Sequence, residues 1–266
     1  MENLHVPAIS FVAMAASIIV AVGAPIALFF VVRKKYGKGI LPVLLGGAGF
    51  LLFAMILEQI LHTIVLRPGL DGSVALMQRP YLYMVYGALA AGLFEETARL
   101  VSFYILKKRR DGFGTALKHG IGHGGVEAAL IGGASLVGAM ALAIMLNTLG
   151  PQAMSQMGEA VFVQAQAIAA TRPAMLLVSG FERLMALSIQ ISLSVVVYYA
   201  VYKPRRLWLY PLAILLHALV DCPAALYQTG VITNVWLMEG IVLVSAAVLA
   251  GVVFLLHRRL EPVEGK

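Results

Sequence analysis

The residues best placed to do chemistry are Glu95-Glu96-Thr97-Ala98-Arg99. They lie inside an apolar run from Tyr81 to Leu106 that is long enough to cross a bilayer. Two carboxylates and a guanidinium at membrane depth carry a large penalty unless they are paired or reached by water. On a helix Arg99 follows Glu96 by three residues and Glu95 by four, so either acid can meet it on one face. One acid is then held ionised by Arg99, and the other is left to exchange a proton, which divides acid and base roles between two neighbouring carboxyls. A plain ion pair fixing helix packing is the alternative, and a membrane makes idle charge unfavourable.

Further polar groups recur in other apolar runs. His119-Gly120-Ile121-Gly122-His123-Gly124-Gly125-Val126-Glu127 opens the fourth run. Helical periodicity puts His119, His123 and Glu127 on one face, with His123 and Glu127 aimed at the same place and His119 nearer the loop, at the interface. The glycines allow a neighbouring helix or a substrate backbone to come close. His217 and Asp221 form another i,i+4 pair, in which the carboxylate can fix the imidazole tautomer or both groups can face a ligand. Gln190 lies deep in the fifth run. Glu182-Arg183 stands near its outer end, and as adjacent helical residues the two are expected to pair with other spans rather than with each other. Glu58-Gln59 and His62 are read as packing or water-contact residues.

The elements that carry these groups follow from composition. Of 266 residues, 61% are hydrophobic and 12% charged, which excludes an ordinary soluble domain and predicts an all-α polytopic membrane protein. Seven spans are predicted, at about 6–32, 40–66, 81–106, 113–149, 174–202, 207–227 and 231–257. The fourth is too long for one upright helix and must tilt, break or leave the bilayer. The segment 154–168 reads as a helix lying on the outer interface. The chain shows neither a repeat nor a second domain, so 1–266 is expected to form one helical domain, its polar site built from spans three to six. Cys222 is the single cysteine, which excludes an internal disulfide.

Basic residues cluster at Arg33–Lys38, at Lys107–Arg110 with Lys118, at Lys203–Arg206 and at Arg258-Arg259. The intervening loops carry few positive charges, so the N-terminus is predicted outside and the C-terminus in the cytoplasm. The net charge of +7 is therefore a topology signal, not a nucleic-acid footprint. At about 1.5 Å per residue from the nearest basic cluster, Glu95, Glu96, Glu127, Gln190, His217 and Asp221 fall roughly 14–22 Å deep, and His123 about 8 Å. Four different helices thus contribute polar groups to one slab.

The set Glu95-Glu96-x-x-Arg99, Gly122-His123-Gly124-Gly125-Val126-Glu127, Glu182-Arg183 and His217-x-x-x-Asp221 resembles the YhfC family of bacterial intramembrane proteases, which looks like a branch of the superfamily of PrsW and the CAAX prenyl proteases. The resemblance implies glutamate-dependent hydrolysis of a peptide bond within a bacterial inner membrane. Glu95, or Glu96 with the roles exchanged, would activate water. His217 with Asp221 would stabilise the oxyanion, supported by Arg99, Glu127, Glu182, Arg183 and Gln190. Arg99 is one residue closer to the paired acids than in CAAX proteases. PrsW-type relatives carry a histidine on the span that holds Gln190 here, which leaves His123 as the partner of Glu95.

The expected activity is that of an intramembrane endopeptidase whose substrate is a membrane-embedded or membrane-anchored peptide. Its site is expected to open toward the cytoplasm or inner leaflet. No cofactor is favoured. Zinc on His123, Glu127, His217 and Asp221 is the alternative, although the chain lacks an H-E-x-x-H signature. A proton-coupled transporter or channel needs similar mid-depth groups, but no inverted repeat supports it. A non-catalytic chaperone or scaffold is the other rival.

Overall fold

A computed structural model describes residues 4–69, 73–108 and 112–261. Arg109 and Arg110 of the predicted basic loop, and residues 70–72 of a predicted outer loop, lie outside them. The described chain is helical, as expected of apolar segments that must satisfy their own backbone hydrogen bonds in lipid. The helices are α1 (Ala8–Tyr36), α2 (Leu41–Leu66), α3 (Pro80–Leu106), α4 (Phe113–Gln156), α5 (Glu159–Ala170), α6 (Pro173–Tyr202), α7 (Leu209–Gln228) and α8 (Val235–Leu260). Six of them, α1, α2, α4, α6, α7 and α8, are long and apolar enough to cross a membrane. Helix α3 has the length, 27 residues, but carries the charged trio Glu95, Glu96 and Arg99.

Local sequence explains the helix ends. Proline opens α3 and α6 and stands in the first turn of α2, where its missing N–H costs nothing. Asn234 caps α8, its Oδ1 accepting from the backbone of Trp236 at 2.9 Å and Leu237 at 3.3 Å. The long fourth run does break. It passes through a π-helical turn at Ala128–Ala134 and kinks at Gly150, whose φ of 80° suits glycine. Helix α2 has its own π-turn at Phe53–Glu58, next to the polar residues of its second half.

The chain divides into two compact units, residues 1–27 with 127–184, and residues 28–126 with 185–266. In the first, Met14, Leu146, Met154 and Ala165 are fully enclosed. The segment predicted to lie on the outer interface thus forms the kinked end of α4 and helix α5, and contributes to a packed core. Val6 and Asn147 exchange two hydrogen bonds at 2.9 and 2.8 Å, and Ser17 donates to the Leu176 carbonyl at 2.6 Å.

In the second unit α3 packs along α7 and against α2, while α8 packs on α7. Phe103, Leu106, Leu193, Tyr198 and Tyr199 form its enclosed core. Small residues set the helix separations. A Cβ on Gly92 would lie 2.7 Å from the Ile214 carbonyl oxygen, so only glycine lets α3 meet α7 this closely. A Cβ on Gly122 would lie 2.0 Å from the Val43 carbonyl oxygen, which fixes α4 against α2 in the same way. Gly120, Gly122 and Gly124 of the fourth run are thus occupied by helix packing.

Candidate active site

Glu96 and Arg99 face each other on α3 as the i,i+3 spacing allows, with Arg99 Nη1 donating to Glu96 Oε1 at 2.7 Å. Both side chains are wholly buried. Arg99 Nε also donates to Ser194 Oγ at 3.2 Å, and Nη2 donates to Gln190 Oε1. Glu95 stands further from the guanidinium, 3.6 Å from Nη2. Arg99 is therefore committed to Glu96, and Glu95 is left for other partners.

Those partners are brought by α4 and α6. His123 Nε2 lies 2.9 Å from Glu95 Oε2, and Gln190 Nε2 donates to the same oxygen at 3.1 Å. The Gln190 amide therefore has a defined orientation, its oxygen toward Arg99 and its nitrogen toward Glu95. A Cβ on Gly124 would lie 2.8 Å from Gln190 Cβ, so this glycine lets α6 approach α4 beside His123. The edge of Phe50 packs on the His123 ring, centroids 5.2 Å apart.

Helix α7 supplies the last pair. His217 Nδ1 is 2.7 Å from Glu96 Oε1, and its Nε2 is 3.5 Å from Asp221 Oδ2 and 3.8 Å from Glu95 Oε2. Glu96 Oε1 thus accepts from Arg99 and pairs with His217, while Glu95 Oε2 collects His123 and Gln190. Glu95, Glu96, Arg99, His123, Gln190, His217 and Asp221, far apart in sequence, form one connected polar cluster from α3, α4, α6 and α7.

Glu127, Glu182 and Arg183 group separately, within the first unit. Arg183 Nη1 is 3.8 Å from Glu127 Oε1, as expected of a pair between spans. Contrary to expectation, Arg183 Nη2 also bonds Glu182 Oε1. A side chain this long turns back along its own helix. Its stem lies over Gly132, where a Cβ would meet Arg183 Cγ and Cδ at 2.7 Å. His119 departs from expectation as well. It is fully buried rather than interfacial, 3.3 Å from Ser194 Oγ, with Phe103 packed on its ring at 4.5 Å. The depth count missed this because Lys118, taken as a loop charge, is itself buried in α4 and donates to the carbonyls of Tyr36 and Gly37 at 3.2 and 2.7 Å.

The sequence reading missed Ser194, which joins Arg99 to His119. Its position four residues after Gln190 was the available signal. The polar residues of α2 also prove organised. Glu58 pairs with His62 at 3.2 Å, and His62 Nδ1 is 2.8 Å from Tyr86 Oη.

An all-α multi-pass membrane protein with buried acids against imidazoles belongs among membrane proteins built for chemistry rather than passive anchoring. The family model described as "YhfC intramembrane metalloprotease" matches residues 17–242, and the chain belongs to this family. It is 35% identical over 243 residues to a Bacillus subtilis (strain 168) protein called "Uncharacterized membrane protein YhfC", covering 90% of this chain and 93% of that one. No solved structure matches it.

The family description implies a metal, and the donors suit one. Carboxylate oxygens and imidazole nitrogens are ordinary zinc ligands. Two buried atoms of the cluster, Glu96 Oε2 and His123 Nδ1, have no hydrogen-bond partner among the described residues. Glu95 and His123, both buried and 2.9 Å apart, are donors of the second unit that could hold such an ion. His123 and Glu127 share a face of α4, one turn apart.

Proposed function

We propose that this protein is an intramembrane endopeptidase of a bacterial inner membrane and that Glu95, held by His123, is the base that activates water. The observation that carries this reading is the division of labour between the two adjacent acids. Glu96 is tied to Arg99 and His217, whereas among the described residues Glu95 meets imidazole and amide partners and has a longer approach from Arg99. The substrate is a peptide bond of a membrane-embedded or membrane-anchored protein.

In the proposed reaction Glu95 takes a proton from water as the oxygen bonds to the scissile carbonyl carbon. The carbonyl π electrons move onto oxygen. An N–H on His217 Nε2, its other ring nitrogen fixed by Glu96, stabilises that oxyanion. The C–N bond breaks as the proton held by Glu95 passes to the leaving amine. Gln190 and Arg99 hold the two acids in place.

A metal-assisted reading has its own support in the family description and in the buried donors of Glu95 and His123. A bound divalent ion would polarise the carbonyl and lower the cost of forming hydroxide. Charge balance accommodates either version. The cluster holds three carboxylates, Glu95, Glu96 and Asp221, and one guanidinium, Arg99, which leaves two negative charges when all are ionised and the imidazoles are neutral. Two protons or one divalent cation neutralise them.

The deciding experiment is cleavage of a membrane-protein substrate by purified wild type and Glu95→Gln, with the metal content of both. Loss of cleavage by about 10²-fold or more in a variant that still folds supports Glu95 as base. Retained turnover removes it from the mechanism. Near-stoichiometric zinc, with activity lost on chelation and restored by zinc, selects the metal-assisted version.

A further inference from the structure

The polar cluster is unevenly exposed. The side chains of Glu96, Arg99 and His123 are 0% exposed, His217 is 3% and Glu95 10%, but Asp221 is 38% exposed. Asp221 also lines a cavity of about 290 Å³ in the second unit, with His62, Tyr83, Tyr86 and Gln228. At about 30 Å³ per water, that volume holds on the order of ten waters. The lining offers mixed donors and acceptors. Tyr83 Oη donates to Gln228 at 3.0 Å, and Tyr86 Oη meets His62 at 2.8 Å. The remaining lining is mostly small, including Gly87 and Ala224, which leaves room for an extended main chain.

The other end of the cluster is shut. Phe103 follows Arg99 by one helical turn and is fully buried. His119 packs on it at 4.5 Å, and Tyr198 and Tyr202 meet its edge at 5.8 and 6.3 Å. These aromatic layers separate the cluster from the end of the unit that carries Lys107, Lys203 and Arg206. The cavity lies instead toward the ends of α2 and α7 that lead to residues 67–79 and 229–234.

We propose that the Asp221 cavity is the mouth of the site: an extended peptide segment, with its water, enters from the end opposite the basic loops, and Asp221 links the mouth to His217. This reverses the expectation that the site opens toward the cytoplasm or inner leaflet. It rests on the endopeptidase reading for the nature of the ligand, but not for the direction of access. Tyr83, Tyr86, His62 and Gln228 satisfy the amide groups of the entering chain. Asp221, 3.5 Å from His217 Nε2, joins the mouth to the buried cluster.

Access is tested without turnover. In a Cys222→Ala background reconstituted into vesicles, a membrane-impermeant thiosulfonate is applied to either face, with Lys34→Cys and Gln78→Cys reporting the two faces. Ala224→Cys and Asp221→Cys should react at least tenfold faster from the Gln78 face. Gly87→Cys has open space around its new side chain. Blocking it with a bulky maleimide should slow Asp221→Cys at least tenfold. Faster reaction from the Lys34 face, or no effect of the Gly87 block, overturns the proposal. Peptide cleavage is then compared before and after Gly87→Cys is blocked. Loss of cleavage on blocking supports a mouth for substrate, and unchanged cleavage overturns it. Expected labelling in a protein that cleaves nothing, even as wild type, defeats the endopeptidase reading while leaving the direction of access intact.

Discussion

Replacing Arg99 by methionine keeps most of the stem's volume and removes the guanidinium. In the wild type that group supplies Glu96 Oε1 at 2.7 Å, Ser194 Oγ at 3.2 Å and the oxygen of Gln190. Arg99 and Glu96 are both at zero exposure, so water cannot replace the lost donors. Removing one partner of a buried ion pair costs about 3–5 kcal/mol, because the other charge stays buried. At about 2–4 °C per kcal/mol for a chain of this size, Arg99→Met should melt about 6–20 °C below wild type in detergent. Glu95→Gln should shift Tm far less, since an amide still accepts from Gln190 and His123. Replacing both members of the pair, as in Glu96→Gln with Arg99→Met, should recover much of the loss, because no buried charge is then orphaned. The assay is thermal unfolding of purified wild type, Arg99→Met, Glu96→Gln, the double variant and Glu95→Gln at fixed detergent and lipid content. Arg99→Met melting within about 2 °C of wild type would refute the argument. A cycle additive within about 0.5 kcal/mol would do the same, since it would mean that Arg99 and Glu96 are not coupled.

Gly92→Ala places a methyl 2.7 Å from the Ile214 carbonyl oxygen. It should cost about 1–3 kcal/mol, read by unfolding, and lower cleavage by pushing Glu96 away from His217; unchanged stability would show that α3 and α7 can separate freely. Gln190→Leu removes the amide that holds Glu95 and leaves Arg99 Nη2 without its acceptor; cleavage should fall about tenfold or more while the protein still folds, and equal kcat and KM would deny Gln190 a positioning role. For topology, cysteines at Lys34, Lys108 and Arg205 should label from the same face and Gln78→Cys from the other. Labelling of all four from one face would defeat the predicted orientation.

Helical class and membrane character were legible in the sequence because lipid leaves the backbone few choices, and long apolar runs declare themselves. The i,i+4 pairs were legible for a related reason, since helix geometry alone places His217 beside Asp221 and His123 on the face of Glu127. Spacing left the partner of Arg99 open, because both acids are within reach along one helix. Tertiary packing decided it, bringing His123 and Gln190 to Glu95 and His217 to Glu96. Those contacts depend on glycines such as Gly92 and Gly124, whose packing partners lie about 120 and 65 residues away in the chain. Counting along a helix also misplaced His119, because depth is measured from charges assumed to sit in water, and Lys118 is buried against backbone carbonyls. Sequence by itself determined which polar residues lie deep and on which face of a helix they stand. Only the tertiary structure decided which acid each imidazole meets, and that Asp221 is the member of the cluster that reaches open space, because those depend on how close two helices come and where they part.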